Sequence, residues 1–264
     1  MAVESDSPAA IPSRRPARAD LGPVTRKYVA SMGWWSVNFH THISLVNKYV
    51  YVEVPKAGCG TMKATLGALE GARMNPMHAQ RFRDTPHNGM RSGAHVRPYQ
   101  LPVDMLEEVF TSPNYQRFTV VRDPASRALS GYLEKIRQDL PQAGPIADVL
   151  EQRTGVRPAG ADISLEDFLS VIGEMDSRDQ DAHWRRQTDH IGYGIIDYTD
   201  IIHLEDLDRS WPRIAELTST PDLSESFYCK FSTGAATKKD EYFTPETRAK
   251  VREIYARDYE LLGY

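Results

Sequence analysis

Short runs of β-branched and aromatic residues recur along the chain and alternate with stretches in which apolar residues have helical spacing. Residues 49–54, 118–121 and 198–204 have the apolar composition typical of buried strands. Helices are predicted over about 62–70 with Gly71 as a stop, over 125–138 behind an Asp123 cap, over 164–169 behind a Ser164 cap, over 208–217 and over 245–262.

Strands that alternate with helices predict an α/β fold with a mostly parallel central sheet flanked by helices. Ligands of such sheets bind at the carboxyl ends of the strands. The segments that directly follow the first two predicted strands are therefore the places where chemistry is expected.

The rest of the chain divides into a tail and the connections of one domain. Residues 1–25 are rich in Pro, Ala, Ser and Arg without an apolar run, so we expect a flexible tail ahead of a single domain over 26–264. Residues 72–100 predict a long loop, which in a compact domain is usually functional. Residues 139–163 predict an exposed insertion.

The composition and net charge indicate which classes of binding partner are expected. Charged residues make up 26% of the chain and the net charge is −4, so no broad basic surface invites nucleic acid and any anion site is local. Cys59 and Cys229 lie far apart and require no disulfide, which favours a reduced, cytoplasmic protein. No run approaches the roughly 18 apolar residues that a membrane span needs. The oligomeric state is not indicated.

The first chemical segment, PKAGCGTMK, follows the strand over 49–54. A loop between a strand and a helix start offers free backbone N–H groups to an anion, and Gly58 and Gly60 let the backbone approach it. Lys56 and Lys63 add charge and Thr61 a hydroxyl donor. The lysine precedes the glycines, unlike the phosphate loop of nucleoside triphosphatases. A simple turn with solvated lysines is the alternative.

The second segment, VRDPASRALSGY, follows the next strand. Arg122 at the strand end can bind a phosphate bidentately, and Ser130 lies about two turns into the helix that follows. Asp123–Pro124 alone is an ordinary helix start, and Ser130 alone could bond back to its own helix.

Together the two segments resemble those of sulfotransferases that use 3′-phosphoadenosine 5′-phosphosulfate (PAPS), in particular the carbohydrate sulfotransferases that act on chondroitin, dermatan and the HNK-1 glucuronide. The segments SLEDFLSVI with DAHW, YTDIIHLEDLDRSW and FTPETRAKVREIYARDYELLGY follow in the order found in that family, so the resemblance covers residues 44–264. It implies a P-loop-like sulfotransferase fold, PAPS as co-substrate and a carbohydrate or other hydroxyl acceptor.

The resemblance also implies roles for individual residues. Lys56 would contact the bridging and 5′-phosphate oxygens, and Lys63 would be a second contact. Arg122 and Ser130 would hold the 3′-phosphate, and Lys238 would lie in a basic turn that closes over the nucleotide. The 5′-phosphate contacts would come from Ala57, Gly58, Cys59, Gly60 and Thr61.

The acceptor hydroxyl needs a general base. His95, in a GHV segment like that of uronyl 2-O-sulfotransferases, is our first candidate, and His183 in DAHW is the second or an acceptor contact. Glu53 and Asp123 are carboxylate alternatives. No histidine spacing suggests a metal site. Arginines of the long loop and Arg185 and Arg186 suggest an anionic acceptor.

Two departures from the family pattern bear on location. This N-terminus has no apolar anchor, and residues 190–193 replace a cysteine pair of the Golgi members, so we expect a soluble, cytoplasmic enzyme and doubt a Golgi-type glycan. A nucleotide-binding protein without transfer activity and a small-molecule kinase are the alternative functions.

Overall fold

A single four-stranded sheet has the order β1–β2–β3–β4. The computed structural model describes residues 17, 19–74, 93–220, 234–235 and 237–264. The strands are β1 (Thr41–Ser44), β2 (Tyr49–Val52), β3 (Gln116–Val121) and β4 (Asp200–His203). β2, β3 and β4 run parallel, whereas β1 pairs antiparallel with β2. The three predicted strands are confirmed, and β1 was not predicted.

Helices precede, connect and follow the strands. In chain order they are α1 (Pro23–Met32), α2 (Trp34–His40), α3 (Cys59–Met74), α4 (Val103–Thr111), α5 (Pro124–Gly131), α6 (Ala143–Thr154), α7 (Leu165–Glu174), α8 (Gln187–His190), α9 (Leu207–Leu217), α10 (Lys239–Tyr242), α11 (Pro245–Ile254) and α12 (Ala256–Leu262). A π-helical turn, Tyr132–Ile136, extends α5.

The sheet is buried on both faces, which confirms an α/β fold with a mostly parallel sheet between helices. Val50 and Val52 point into a core that includes residues of α1 and α4. Tyr49, Tyr51 and Phe118 point the other way, into a core with α3 and α9. This alternation follows from the period-2 geometry of a strand.

Local capping signals correctly located several helix starts. The Asp123 carboxylate accepts a hydrogen bond from the Ser126 amide at 2.9 Å, and Ser164 and Thr244 cap α7 and α11 in the same way. Each such cap contributes about 1 kcal/mol.

Three predictions about helices and connections differ from the structure. Gly71 does not end α3, which continues to Met74. The segment 139–163 is not simply an exposed insertion, because α6 buries Ile146, Ala147 and Leu150 against α7. The predicted helix over 245–262 is divided at Tyr255, between α11 and α12.

The first helix begins inside the segment predicted as a tail. The Glu107 carboxylate of α4 accepts hydrogen bonds from the amides of Val24 and Thr25, both at 2.9 Å, and from the Thr25 hydroxyl at 2.7 Å. These contacts tie the start of α1 to the domain. Among the described residues, no helix is long and apolar enough to cross a membrane.

Candidate active site

The loop between β2 and α3 lies at the shared carboxyl edge of the parallel strands and has a left-handed backbone. Lys56 has φ 70° and Gly58 has φ 73°. A Cβ atom built on Gly58 would lie 2.7 Å from Cδ1 of Leu204, which follows β4. Glycine is therefore required at 58 both by conformation and by space. The loop delivers the chain into the N-terminus of the 16-residue helix α3, whose free amides favour an anion.

Lys56 extends from this loop into a largely buried ion pair with Glu134 of the π-helical turn. Glu134 also pairs with Lys135 at 2.7 Å. Burial alone would raise the pKa of Glu134, but the hydrogen bonds from Lys135 and Lys56 lower it to about 2. The carboxylate is thus ionised at neutral pH and holds the Lys56 ammonium group in place.

Lys63, one turn into α3, is held by a second and more deeply buried carboxylate. Its Nζ lies 3.1 Å from Oε2 of Glu53, and the same oxygen lies 2.7 Å from Nε2 of His42. Burial opposes ionisation of Glu53, yet Lys63 and His42 together hold its pKa well below the usual range. Burial would lower the pKa of Lys63, but the charge of Glu53 raises it. Lys63 is therefore a fixed cation beneath the loop.

Arg122 joins the second sequence motif to the first. Its NH1 donates to the carbonyl oxygen of Lys56 at 3.1 Å. Its backbone is locked by Gln187 of α8, which accepts from the Arg122 amide at 2.9 Å and donates to the Arg122 carbonyl at 2.7 Å. The structure thus brings Lys56 and Arg122, which are far apart in sequence, to the same place.

Sequence reasoning missed the residue that holds this arrangement together. Arg127 of α5 is fully buried. It donates from Nε to the Pro55 carbonyl at 2.9 Å, from NH1 to the Arg185 carbonyl at 2.7 Å and from NH2 to the Ala182 carbonyl at 2.7 Å. An arginine in the middle of a helical motif was the available signal, but its long-range partners could not be read from spacing.

The other predicted nucleotide contacts occupy varied environments. Ala57, Thr61 and Ser130 are buried, and Gly60 is buried in the first turn of α3. Cys59 as a whole residue is half-buried, and burial raises the pKa of its thiol. Lys238 is exposed, whereas its neighbour Lys239 lies 3.1 Å from Asp123. The structure therefore brings Lys239, rather than Lys238, against the second motif.

His95 lies in contact with β1 and β2. Its Nε2 is 2.7 Å from the hydroxyl of Tyr49, and its ring centroid is 5.4 Å from that of His42. The whole residue His95 is only 8% exposed to solvent. Burial, followed by the charges of His42 and Arg97, lowers the pKa of His95 well below its usual range. His42 in turn contacts Glu53, the carboxylate that holds Lys63, and the role of His95 as the base stays a prediction.

His183 lies close to the second motif. Its carbonyl oxygen would be 3.1 Å from a Cβ atom on Gly131, the last residue of α5. Its Nδ1 lies 2.5 Å from Oδ1 of Asp181, and its side chain is 24% exposed. The hydrogen bond from His183 is the main effect that lowers the pKa of Asp181 against the opposing effect of burial. Trp184 is buried in the core and does not offer a face to an acceptor.

The arrangement suits an anionic ligand with phosphate groups. Lys56, Lys63 and Arg122 place three fixed cations around a glycine loop and a helix N-terminus, which is the donor set that phosphate oxygens require. The residues present therefore fit the two phosphate-bearing ends of PAPS. In the part of the chain that the structure describes, no group of three or more His, Cys, Asp or Glu could hold a metal ion, and the expectation of no metal stays a prediction.

Comparisons with known proteins agree with this chemistry. Human carbohydrate sulfotransferase 9 is 23% identical over 94% of this chain and 59% of its own length. Carbohydrate sulfotransferase 10 of Xenopus laevis is 24% identical over 84% of the chain and 66% of its own length. Carbohydrate sulfotransferase 14 of Mus musculus is 27% identical over 55% of the chain and 37% of its own length. The chain thus spans less than two thirds of the length of these relatives.

No solved structure gives a significant match to the chain. The sequence profile described as "Sulfotransferase family" matches residues 39–264, which include every strand of the sheet and both anion-binding motifs. The resemblance seen in the sequence is therefore confirmed, and the chain belongs to the sulfotransferase family.

Proposed function

We propose that this protein transfers a sulfuryl group from PAPS to a hydroxyl group of a carbohydrate acceptor. The observation that carries the proposal is the hydrogen bond from NH1 of Arg122 to the Lys56 carbonyl. It unites the loop suited to a 5′-phosphosulfate with the strand end suited to a 3′-phosphate. One ligand with phosphates at both positions would satisfy both.

The chain's own residues supply positioning and charge. PAPS, when bound, provides the sulfuryl group and a phosphate leaving group. The amides at the start of α3 and the Lys63 ammonium group hold the 5′ end, and Arg122 holds the 3′ end. Sulfuryl transfer resembles phosphoryl transfer, in which negative charge builds on the leaving oxygen. Lys56 stabilises that charge, so its contribution is greatest in the transition state.

Glu134 sets the state of Lys56 before the nucleotide binds. Because the Lys56 ammonium group is paired with this carboxylate, a nucleotide phosphate must compete with Glu134 for it. The phosphosulfate group of PAPS carries one negative charge on its phosphate and one on its sulfate, more than the single charge of the carboxylate, so the exchange favours the ligand. Lys56 then turns from the π-helical turn toward the loop.

The acceptor is assigned by class only. The relatives are named carbohydrate sulfotransferases, which supports a carbohydrate hydroxyl here. Arg186 is partly exposed, and its ion pair with Asp189 leaves it available for an anionic sugar only after rearrangement. The cytoplasmic location expected from the sequence stays a prediction.

Nucleotide thermal shift separates the alternatives. A sulfotransferase is stabilised by 3′,5′-adenosine bisphosphate (PAP) without magnesium, whereas a kinase is stabilised by ATP with magnesium. We expect a rise in Tm with PAP that is unaffected by a chelator. A rise only with ATP and magnesium would contradict the proposal. A rise with PAP but no transfer from PAPS to any carbohydrate would leave the nucleotide-binding protein as the better description.

A further inference from the structure

We propose that Asp181 and His183 form the acceptor-side general base, with Nε2 of His183 receiving the proton of the acceptor hydroxyl. The inference rests on the proposed function and goes beyond it by assigning the proton acceptor. It also differs from the assignment of His95 that the sequence favoured.

The Asp181–His183 pair has the geometry of an oriented imidazole. Oδ1 of Asp181 accepts from the His183 amide at 2.9 Å and lies 2.5 Å from Nδ1 of the same residue. A carboxylate only accepts hydrogen bonds, so Nδ1 carries a proton, and in the neutral ring Nε2 presents its lone pair. This is the tautomer that a general base needs, and it is fixed by a neighbour that is itself held by the backbone.

Arg127 brings this pair to the nucleotide loop. One planar guanidinium group binds the carbonyl of Pro55, which precedes Lys56, and the carbonyl of Ala182, which precedes His183. The Lys56 loop and the Asp181–His183 segment therefore meet at a shared buried contact. A second contact lies one turn further along α5, where the His183 carbonyl packs against Gly131, one turn before the Glu134 partner of Lys56.

Partial exposure together with a hydrogen-bonded Nδ1 distinguishes His183 from the other histidines that the structure describes. His40, His42, His95 and His190 are buried. His203 is stacked on Tyr264, with ring centroids 4.5 Å apart. His183 is 24% exposed in its side chain while its Nδ1 is engaged. It combines access for an acceptor with a fixed orientation.

The transfer step balances without a further reactant. A lone pair of the acceptor oxygen forms a bond to sulfur, and the bond between sulfur and the bridging phosphate oxygen breaks. The electron pair of that bond stays on the 5′-phosphate of PAP beside Lys56. The acceptor proton moves to Nε2, which leaves imidazolium paired with the Asp181 carboxylate, and the proton is later released to solvent.

The first test identifies the tautomer of the His183 ring and needs no enzymatic turnover. Nitrogen-15 NMR of the wild-type protein with bound PAP should show the His183 ring protonated at Nδ1 and unprotonated at Nε2. Asp181→Asn should lose this preference, because an amide can donate to Nδ1 as well as accept from it. A wild-type His183 ring protonated at Nε2 would overturn the assignment. Asp240→Asn is the matched control, since it removes an exposed pair with Arg248 and should leave the His183 signals unchanged.

The second test measures the rate of sulfuryl transfer. Single-turnover transfer from PAPS is followed with para-nitrophenyl β-glucuronide and para-nitrophenyl N-acetyl-β-galactosaminide as acceptor probes. His183→Gln should reduce the transfer rate about a hundredfold or more, and Asp181→Asn at least about tenfold, while PAP affinity stays within about twofold. His95→Asn should keep more than about a tenth of the wild-type rate wherever PAP binding shows that it is folded.

The outcomes separate the inference from the function on which it rests. Failure of the wild-type protein to transfer sulfuryl groups to either probe would count against the proposed function. Wild-type transfer with an unchanged rate in His183→Gln would overturn the inference alone. Loss of chemistry in folded His95→Asn, with His183→Gln near wild type, would return the role to His95.

Discussion

Nε of Arg127 donates a hydrogen bond of 2.9 Å to the carbonyl oxygen of Pro55, so a side chain of α5 fixes the loop that follows β2. The same guanidinium group binds the carbonyls of Arg185 and Ala182. A fully buried cation is normally costly, and here backbone carbonyls of two separate segments solvate it. The contact makes the geometry of the site depend on a residue that need not touch the ligand.

Arg127→Met should therefore weaken both folding and nucleotide binding. The three carbonyls would lose their donors, and we expect the free energy of unfolding to fall by roughly 3 kcal/mol in urea denaturation. Arg137→Met is the control, because Arg137 donates to the Ala161 carbonyl at an exposed position, and it should cost no more than about 0.5 kcal/mol. Equal losses of unfolding free energy in the two variants would show that Arg127 does not hold the loop that follows β2 in place.

Gly58→Ala tests the shape of the loop. The added methyl group would meet Leu204 at 2.7 Å and would occupy a backbone with φ 73°. Gly155→Ala separates these effects, since Gly155 has φ 76° and nothing within 4 Å of its built Cβ. Both variants should lose about 1 kcal/mol of stability from the left-handed conformation. Only Gly58→Ala should also weaken PAP binding in calorimetry, and unchanged PAP affinity in that variant would show that the loop does not cradle the ligand.

Arg122→Ala should weaken PAP binding by about 1.5 to 3 kcal/mol, roughly ten- to a hundredfold, because a charge-assisted contact is removed. Calorimetry on the folded variant measures the loss. Arg213→Ala is a suitable comparison: its exposed ion pair with Asp200 lies apart from the proposed ligand, and PAP affinity should change by less than about twofold. An unchanged affinity in Arg122→Ala would remove Arg122 from the site.

Mild acid should destabilise the protein through its buried histidines. Burial, against the opposing charge of Glu53, lowers the pKa of His40 from 6.5 to about 4, and burial followed by the charge of Arg97 lowers that of His42 to about 3. Below about pH 6.5 the unfolded chain binds protons that the folded chain does not, so the free energy of unfolding falls with pH until the folded pKa is reached.

At pH 5 the loss from His40 alone should be about 2 kcal/mol relative to pH 7. Urea denaturation at the two pH values measures it. His40→Gln removes one titrating group and should make the free energy of unfolding less dependent on pH than in the wild type. A stability that does not change between pH 7 and pH 5 would contradict the burial of neutral histidines here.

Local signals predicted much of the fold. The Asp123–Pro124 helix start depends on a hydrogen bond within one turn, and β3 contains a run of aromatic and β-branched residues over 118–121, so both follow from nearby residues. β1 escaped prediction because its Thr41 and His42 are polar yet buried, and their burial is visible only once β2 lies beside them. α6 was missed because Gly144 and Pro145 in its first turn resemble a loop.

The site was predictable in its motifs and not in its connections. Lys56 and Arg122 each follow an apolar strand, and parallel strands bring their carboxyl ends together. Three contacts within the site join residues on different elements. They pair Lys63 with Glu53, Lys56 with Glu134 and Arg127 with Pro55. The surroundings of His95 could not be predicted for the same reason, because a place between two motifs in sequence does not reveal its contacts with β1 and Tyr49.

The transfer rate of a Lys56 variant decides whether Lys56 serves sulfuryl transfer from PAPS. Lys56→Gly removes the ammonium group while keeping a residue that tolerates φ 70°. Single-turnover transfer to the para-nitrophenyl glycosides and PAP affinity are measured on this variant and the wild type, with Lys135→Gly as control for loss of the other Glu134 partner. We predict that Lys56→Gly lowers the transfer rate at least about a hundredfold and PAP affinity less than about tenfold. Equal losses in rate and affinity would make Lys56 a binding residue only, and an unchanged rate would contradict the account.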